Sequence, residues 1–188
     1  MARAKSPEKE KAILAAAAAE IAESGVGAAT ARIAMRAGIA EGTLFTYFSS
    51  KDELLNTVYL ELKTELIGRM LTEFPARASL ERRARHMWAS YIGWATEQPA
   101  KRKAVAQLSV SEVVTAETRA AVSAGRSELQ QLLAELSERG ALRGLPPEFT
   151  AALMMSMEET TMEFVAKSPR RKQQLIEAGF EAFWRAVK

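Results

Sequence analysis

The 188-residue chain is predicted to be all-α, with about nine helices. Apolar residues recur at three- and four-residue steps along most of its length, and no stretch alternates β-branched with polar residues. Serine–proline pairs and isolated glycines sit where such patterns begin and end, as helix starts and stops require. No internal repeat is evident.

Ser6-Pro7 marks the first start, a hydroxyl cap followed by proline at the first helical position. Ile13, Leu14, Ala17, Ala18 and Ile21 form its apolar face, and Gly25 is the expected terminator. A second helix is predicted over about Ala31 to Ala37, with Ile33, Ala34 and Ala37 inward. Gly38 makes the turn and Ile39 plugs it. A third helix from about Glu41 to Phe48 buries Leu44 and Phe48 one turn apart. Ser50-Lys-Asp-Glu53 has the capping-box pattern. It opens a long helix whose Leu54, Val58, Leu62, Leu66, Met70 and Phe74 recur every fourth residue until Pro75. Further helices are expected over Leu80 to Glu97, Pro99 to Val114 and Ala116 to Arg139, the last stopped by Gly140. Leu145-Pro-Pro-Glu148 opens another, with Phe149, Leu153, Met157, Phe164 and Val165 as its stripe. Ser168-Pro169 is read as the cap of a final helix carrying Ile176, Phe180, Phe183, Trp184 and Val187.

Residues from about 30 to 49 are laid out as a helix-turn-helix, whose second helix enters the DNA major groove. With Leu44 and Phe48 anchoring that helix, Glu41, Gly42, Thr43, Phe45, Thr46 and Tyr47 fall on other faces. Thr43 and Thr46 suit phosphate oxygens, base edges or a thymine methyl, and the Tyr47 hydroxyl suits a phosphate. Lys51, in the first turn of the next helix, combines its charge with free backbone N–H groups. Thr30 is placed to do likewise on the opposite flank, and Arg32 and Arg36 join the expected DNA contacts. An exposed Phe45 beside Tyr47 disfavours solubility unless a partner covers it.

At Ile33-Ala34, Ala37-Gly38-Ile39, Gly42-Thr43-Leu44-Phe45, Tyr47-Phe48 and Ser50-Lys51, the chain resembles the tetracycline-repressor (TetR) family of bacterial transcription regulators. The likeness runs strongly from about Pro7 to Ile67. It implies a DNA-binding domain at residues 7–67 and an effector-binding and dimerisation domain at 68–188. It further implies a homodimer on a palindromic operator of double-stranded DNA, most simply a repressor, with a small-molecule effector releasing the DNA. The last two helices would pair with their symmetry mates. Three positions depart from the family pattern. Ala40 replaces the usual hydroxyl cap, Ala29-Thr30 reduces a hydroxyl pair, and Glu41 replaces a basic or neutral residue. Glu41 then either caps and excludes, or accepts from a cytosine amino group.

Composition fits this reading. Net charge is +3, with 48% hydrophobic and 26% charged residues. Up to Glu65 there are eight basic residues (3, 5, 9, 11, 32, 36, 51, 63) against nine acidic ones (8, 10, 20, 23, 41, 52, 53, 61, 65). One copy should therefore hold DNA weakly, which favours a dimer. No secretory signal or membrane-spanning run is expected, so a cytoplasmic protein is anticipated. With no cysteine, a single His86 and no spaced ligand set, neither enzyme chemistry nor a metal or other cofactor is expected.

Met70, Phe74, Met87, Trp88, Tyr91, Trp94, Met154, Met155 and Met157 suggest a pocket for an apolar or aromatic effector, with ordinary core as the alternative. Glu158, Glu159 and Glu163 would meet a cationic ligand or form a solvated face. Phe164, Ile176, Phe180, Phe183 and Trp184 are the expected dimerisation residues, with burial within one chain as the alternative. The triplets Lys101-Arg-Lys103 and Arg170-Arg-Lys172 read as solvated charge. The rival functions are a DNA-binding dimer without an effector and a helical enzyme or carrier.

Overall fold

The computed structural model describes residues 5–125 and 127–188; Arg3, counted above among the basic residues, lies outside them. Among the described residues there are ten α-helices, two short 3-10 turns and no strand. They pack as two units. The first holds the described residues up to Glu65 with Gln98–Ala124, and the second holds Leu66–Glu97 with Gly125–Lys188.

The first unit contains α1 (Pro7–Ser24), α2 (Thr30–Arg36), α3 (Glu41–Tyr47), the start of α4 (Lys51–Leu71), α6 (Pro99–Ser109) and α7 (Ala116–Ala124). The Ser6 hydroxyl accepts from the Lys9 N–H at 3.4 Å, with Pro7 opening α1. Ile13, Ala17, Ile21, Ile33, Leu44 and Leu54 are fully buried, as their spacing predicts. Small side chains on α1 let it lie along α6, where Ala104 and Leu108 are buried.

The turn between α2 and α3 is a Schellman motif. Ile39 N–H donates to Ala34 O at 3.0 Å, Gly38 N–H donates to Met35 O at 3.1 Å, and Gly38 takes φ 68°. Neither α2 nor α3 has a side-chain cap. Their position comes instead from α1. Glu20, whose side chain is 3% exposed, pairs with Arg36 at 2.8 Å and with Arg32 at 3.1 Å. Arg36 also donates to Glu23 at 2.8 Å. The capping box at α4 forms with a shifted return bond. Glu53 N–H donates to the Ser50 hydroxyl at 3.1 Å, but the Glu53 carboxylate accepts from the N–H and hydroxyl of Ser49. Asn56 ties α4 to the segment before α7, donating to Val113 O at 2.8 Å and accepting from Thr115 N–H at 3.0 Å.

The second unit contains the end of α4, α5 (Leu80–Glu97), α8 (Ser127–Ser137), α9 (Pro147–Lys167) and α10 (Lys172–Val187). Trp88 on α5 stacks on Phe183 at 5.9 Å, meets Phe180 edge-on at 6.1 Å, and donates its indole N–H to Ile176 O at 3.1 Å. Arg85 lies 4.2 Å over the Phe180 ring and pairs with Glu81, Glu177 and Glu181. At Gly179 a Cβ would fall 2.4 Å from Thr161 Oγ1 and 2.9 Å from Trp88, so only glycine admits this approach of α10 to α9 and α5.

Several boundaries differ from the sequence reading. The single helix expected over Ala116 to Arg139 is two, α7 and α8, interrupted at a turn on Gly125. α4 stops at Leu71, because Glu73 adopts a left-handed φ of 56°, so Phe74 lies beyond the helix. Ser168-Pro169 opens the 3-10 turn Pro169–Arg171 rather than α10. On α9 the inward face is Thr150, Met154, Glu158, Thr161, Met162 and Val165, whereas Phe149 and Phe164 are half exposed. The predicted stripe is therefore rotated, since polar residues here sit inward.

Removing the Glu20 carboxylate leaves two arginines without their shared partner. Both still reach Glu23 and are partly exposed, so Glu20→Ala is expected to destabilise the chain by about 1 kcal/mol. Urea unfolding followed by circular dichroism checks this.

Candidate nucleic-acid interface

α3 is a seven-residue helix fixed by one buried residue, Leu44, and by Phe48 immediately after it. Glu41, Gly42, Phe45 and Thr46 are exposed, and Thr43 and Tyr47 are half-buried. Phe45 retains 45% of its surface. At Gly42 a Cβ would meet nothing within 4 Å, so the protein itself sets no limit there.

The polar groups of this face are engaged within the chain. Thr30 donates to the Glu41 carboxylate at 2.5 Å, joining the first turns of α2 and α3. Thr46 donates to Thr43 O at 2.6 Å on its own helix. The Tyr47 hydroxyl accepts from Ser6 N–H, and Lys5 Nζ donates to Tyr47 O, both at 3.0 Å. Lys51 occupies the first position of α4 and is half-buried. The Ser49 hydroxyl and N–H hold the Glu53 carboxyl below its ordinary range, so that carboxylate is committed to the helix start.

Arg32 and Arg36 do not belong with this set. Both guanidinium groups turn to Glu20 and Glu23 on α1, and Glu23 and Glu20 raise the Arg36 value further. They brace α2 against α1 while staying partly exposed. Conversely, Lys5 and Ser6, absent from the expected DNA contacts, bond to Tyr47 on this face. Their only sequence signal is a position just ahead of the first helix.

The remaining candidates lie in the second unit. Met87, Trp88, Trp94 and Met154 are buried, while Met70, Phe74, Tyr91 and Met157 are half-buried. His86 Nε2 lies 3.1 Å from Met70 O and its ring meets Phe74 edge-on at 5.7 Å. Trp88 is a core anchor between α5 and α10 rather than a pocket wall. Glu158 is buried, and loss of solvation, reinforced by Glu159, pushes its carboxyl well above the ordinary 4.5. Glu163 instead pairs with Lys167 at 2.5 Å on the outer face. Ile176, Phe180, Phe183 and Trp184 are all buried within the single chain, which corrects their assignment to an intersubunit face; Phe164 alone of that group is exposed. The basic triplets are not merely solvated: Lys101 pairs with Glu65 at 2.7 Å, and Lys172 donates to Thr96 at 3.1 Å.

Residues 13–58 match the family model of bacterial regulatory proteins, tetR family. Three solved structures are similar over nearly the whole chain. A protein assigned to the tetR family of transcription regulators from Shewanella sp. PV-4 is 28% identical, with a TM-score of 0.80 over 95% of this chain and 97% of that one. One from Vibrio parahaemolyticus is 26% identical, with a TM-score of 0.72 over 95% and 97%. A TetR family regulator from Marinobacter aquaeolei VT8 shares the fold at 22% identity, with a TM-score of 0.83 over 95% and 94%. Among the described residues no helix is long and apolar enough to cross a membrane. The matched segment contains the whole turn and the helix after it, so residues 13–58 form a DNA-binding domain of the tetR type, and the rest of the chain shares the fold of those regulators.

Proposed function

We propose that the chain is a homodimeric repressor that reads a palindromic operator with α3 and leaves it when a small molecule binds the second unit. The half-exposed Phe45, on a short helix otherwise fixed by Leu44 and Phe48, carries the first part of this reading. Glu41, Gly42, Thr43, Phe45 and Thr46 face the major groove, with Tyr47 and Lys51 on the phosphates. The Thr46 proton is held by Thr43 O, so its methyl is what remains for a thymine. Thr30 reaches a phosphate only by exchanging its bond to Glu41. On this reading the DNA-binding domain spans 7–67 and the effector and dimerisation domain 68–188.

The second copy is placed on the outer face of α9. Phe149, Leu153 and Phe164 share that face, and Ala178 and Ala182 are exposed on the neighbouring α10. Large apolar groups beside small ones favour packing into an intersubunit four-helix bundle. Two reading helices would then meet successive major grooves about 34–36 Å apart.

For the effector, two structures with this fold hold ligands. FadR from Bacillus subtilis (18% identity, TM-score 0.67, 92% of this chain and 96% of that one) is in complex with stearoyl-CoA. LfrR from Mycobacterium smegmatis (17%, 0.68, 96% and 97%) is in complex with proflavine. Here the half-buried Met70, Phe74, Tyr91 and Met157 and the buried Met87, Trp94 and Met154 support an apolar or aromatic effector, and Glu158 would meet a cationic one only by giving up the proton that burial holds on it. Such a molecule acts by preferring one of two conformations of the chain.

Operator DNA obtained by selection from random pools tests the DNA reading. Lys51→Ala should weaken all sequences alike and flatten the salt dependence by about one ion, whereas Thr43→Ala should change base preference and leave that slope intact. Fluorescence anisotropy across a salt series separates the two.

Phe149→Glu with Phe164→Glu places four carboxylates in the proposed seam and should give a monomer. Light scattering after gel filtration reads the mass, and a dimer of unchanged stability would move the interface elsewhere.

Burial favours the neutral form of Glu158, so the folded chain holds that proton more tightly than the unfolded one. The resulting stability is complete below the ordinary 4.5 and is lost as pH rises through the raised folded value. Glu158→Gln, uncharged throughout, should therefore gain on wild type between about pH 5 and about pH 8. Calorimetric midpoints at the two pH values check the difference.

A further inference from the structure

We propose that Lys5 is a contact to the DNA backbone, held in place by Tyr47, and that the two residues serve one phosphate together. The inference rests on the assignment of α3 as the reading helix. Residues 5 and 6 precede α1, yet three contacts fasten them to the last residue of α3. Lys5 Nζ donates to Tyr47 O at 3.0 Å, its ammonium lies 6.0 Å from the Tyr47 ring centroid, and Ser6 N–H donates to the Tyr47 hydroxyl at 3.0 Å.

The chemistry of these groups leaves donors directed at something else. Tyr47 O is one of the last carbonyls of α3, which have no helical N–H to accept, and a cation is favoured at that end. An ammonium has three protons, of which this carbonyl takes one. The Tyr47 oxygen accepts from Ser6, which leaves its own proton to donate. Lys5 is exposed and Tyr47 is half exposed, so both remaining donors are open to an anion. Two carboxylates nearby have hydrogen-bond partners of their own: Glu53 is held by Ser49 and feels the Lys5 charge only through space, and Glu8 is held by the Ser6 hydroxyl at 2.7 Å. Two donors of this kind, on a surface whose partner is a polyanion, match a phosphate oxygen. A cap on α3 alone would satisfy the carbonyl but would contribute nothing to the ion dependence of DNA binding.

The test uses the full chain and selected operator DNA, with affinity measured between about 50 and about 200 mM salt. Lys5→Gln should weaken operator and unrelated DNA alike by about fivefold and lower the log–log salt slope by about one. Lys5→Arg should keep the wild-type slope, and Lys9→Gln, at an exposed α1 position, should also keep it. Tyr47→Phe removes the acceptor for Ser6 N–H, so its loss and that of Lys5→Gln should add to less than their sum in the double variant. A wild-type slope in Lys5→Gln overturns the proposal, as does an equal loss in Lys5→Arg. Failure of the wild type to bind any selected DNA would instead overturn the reading of α3.

Discussion

One buried carboxylate holds the reading head together. α2 and α3 are seven residues each, too short to persist alone, and neither has a side-chain cap. Their orientation is imposed from outside, and Glu20 is where α1 imposes it. A carboxylate with 3% of its side chain exposed is tolerable only with charged partners, and Arg32 and Arg36 supply them from successive turns of α2. The glycine turn then passes the orientation of α2 to α3 through two backbone bonds. The angle at which Phe45 and its neighbours stand out is thus set by a charge on a helix that contributes nothing to the face itself.

The second unit follows a different logic. Its centre is a stack of rings, Trp88 on Phe183 and Phe180 on Trp184, with Arg85 closing the Phe180 face and three glutamates surrounding that guanidinium. This packing joins α5 to α10 within the chain. Large apolar residues at the C-terminal end are consequently unavailable for pairing between copies, and α9 turns polar residues inward while leaving two phenylalanines outside. The inner face of α9 thus mixes Met154, Met162 and Val165 with three polar residues, and the exposed phenylalanines are what the proposed second copy would cover.

How far this was legible in the sequence depended on the range of the interactions. The Ser6 cap, the left-handed Gly38 and the pair Leu44 and Phe48 are decided within a few residues, and a linear reading finds them. Arg32 and Arg36 looked like DNA contacts because their partners stand at least nine residues away on another helix. Glu53 likewise reached one residue further back than the usual box. On α9 the phase was misjudged because periodicity ranks residues by apolarity, and Thr150, Glu158 and Thr161 are buried for reasons that ranking does not contain. Gly125 was overlooked because the leucines after it continue a helical pattern. The fasteners from Lys5 and Ser6 to Tyr47 carry no pattern at all.

The hydroxyl and ammonium groups around α3 already have internal partners: Thr30 with Glu41, Thr46 with Thr43, Tyr47 with Ser6, and Lys5 with Tyr47. On the proposed reading, docking on a duplex would exchange the Thr30 bond while Lys5 and Tyr47 kept theirs and used their spare protons, so the net enthalpy of the exchange would be modest. On that reading, the drive for complex formation would come largely from ions shed by the duplex and water shed by Phe45. Recognition by such a head is an entropic event, tuned by the surrounding electrolyte and accompanied by a fall in heat capacity.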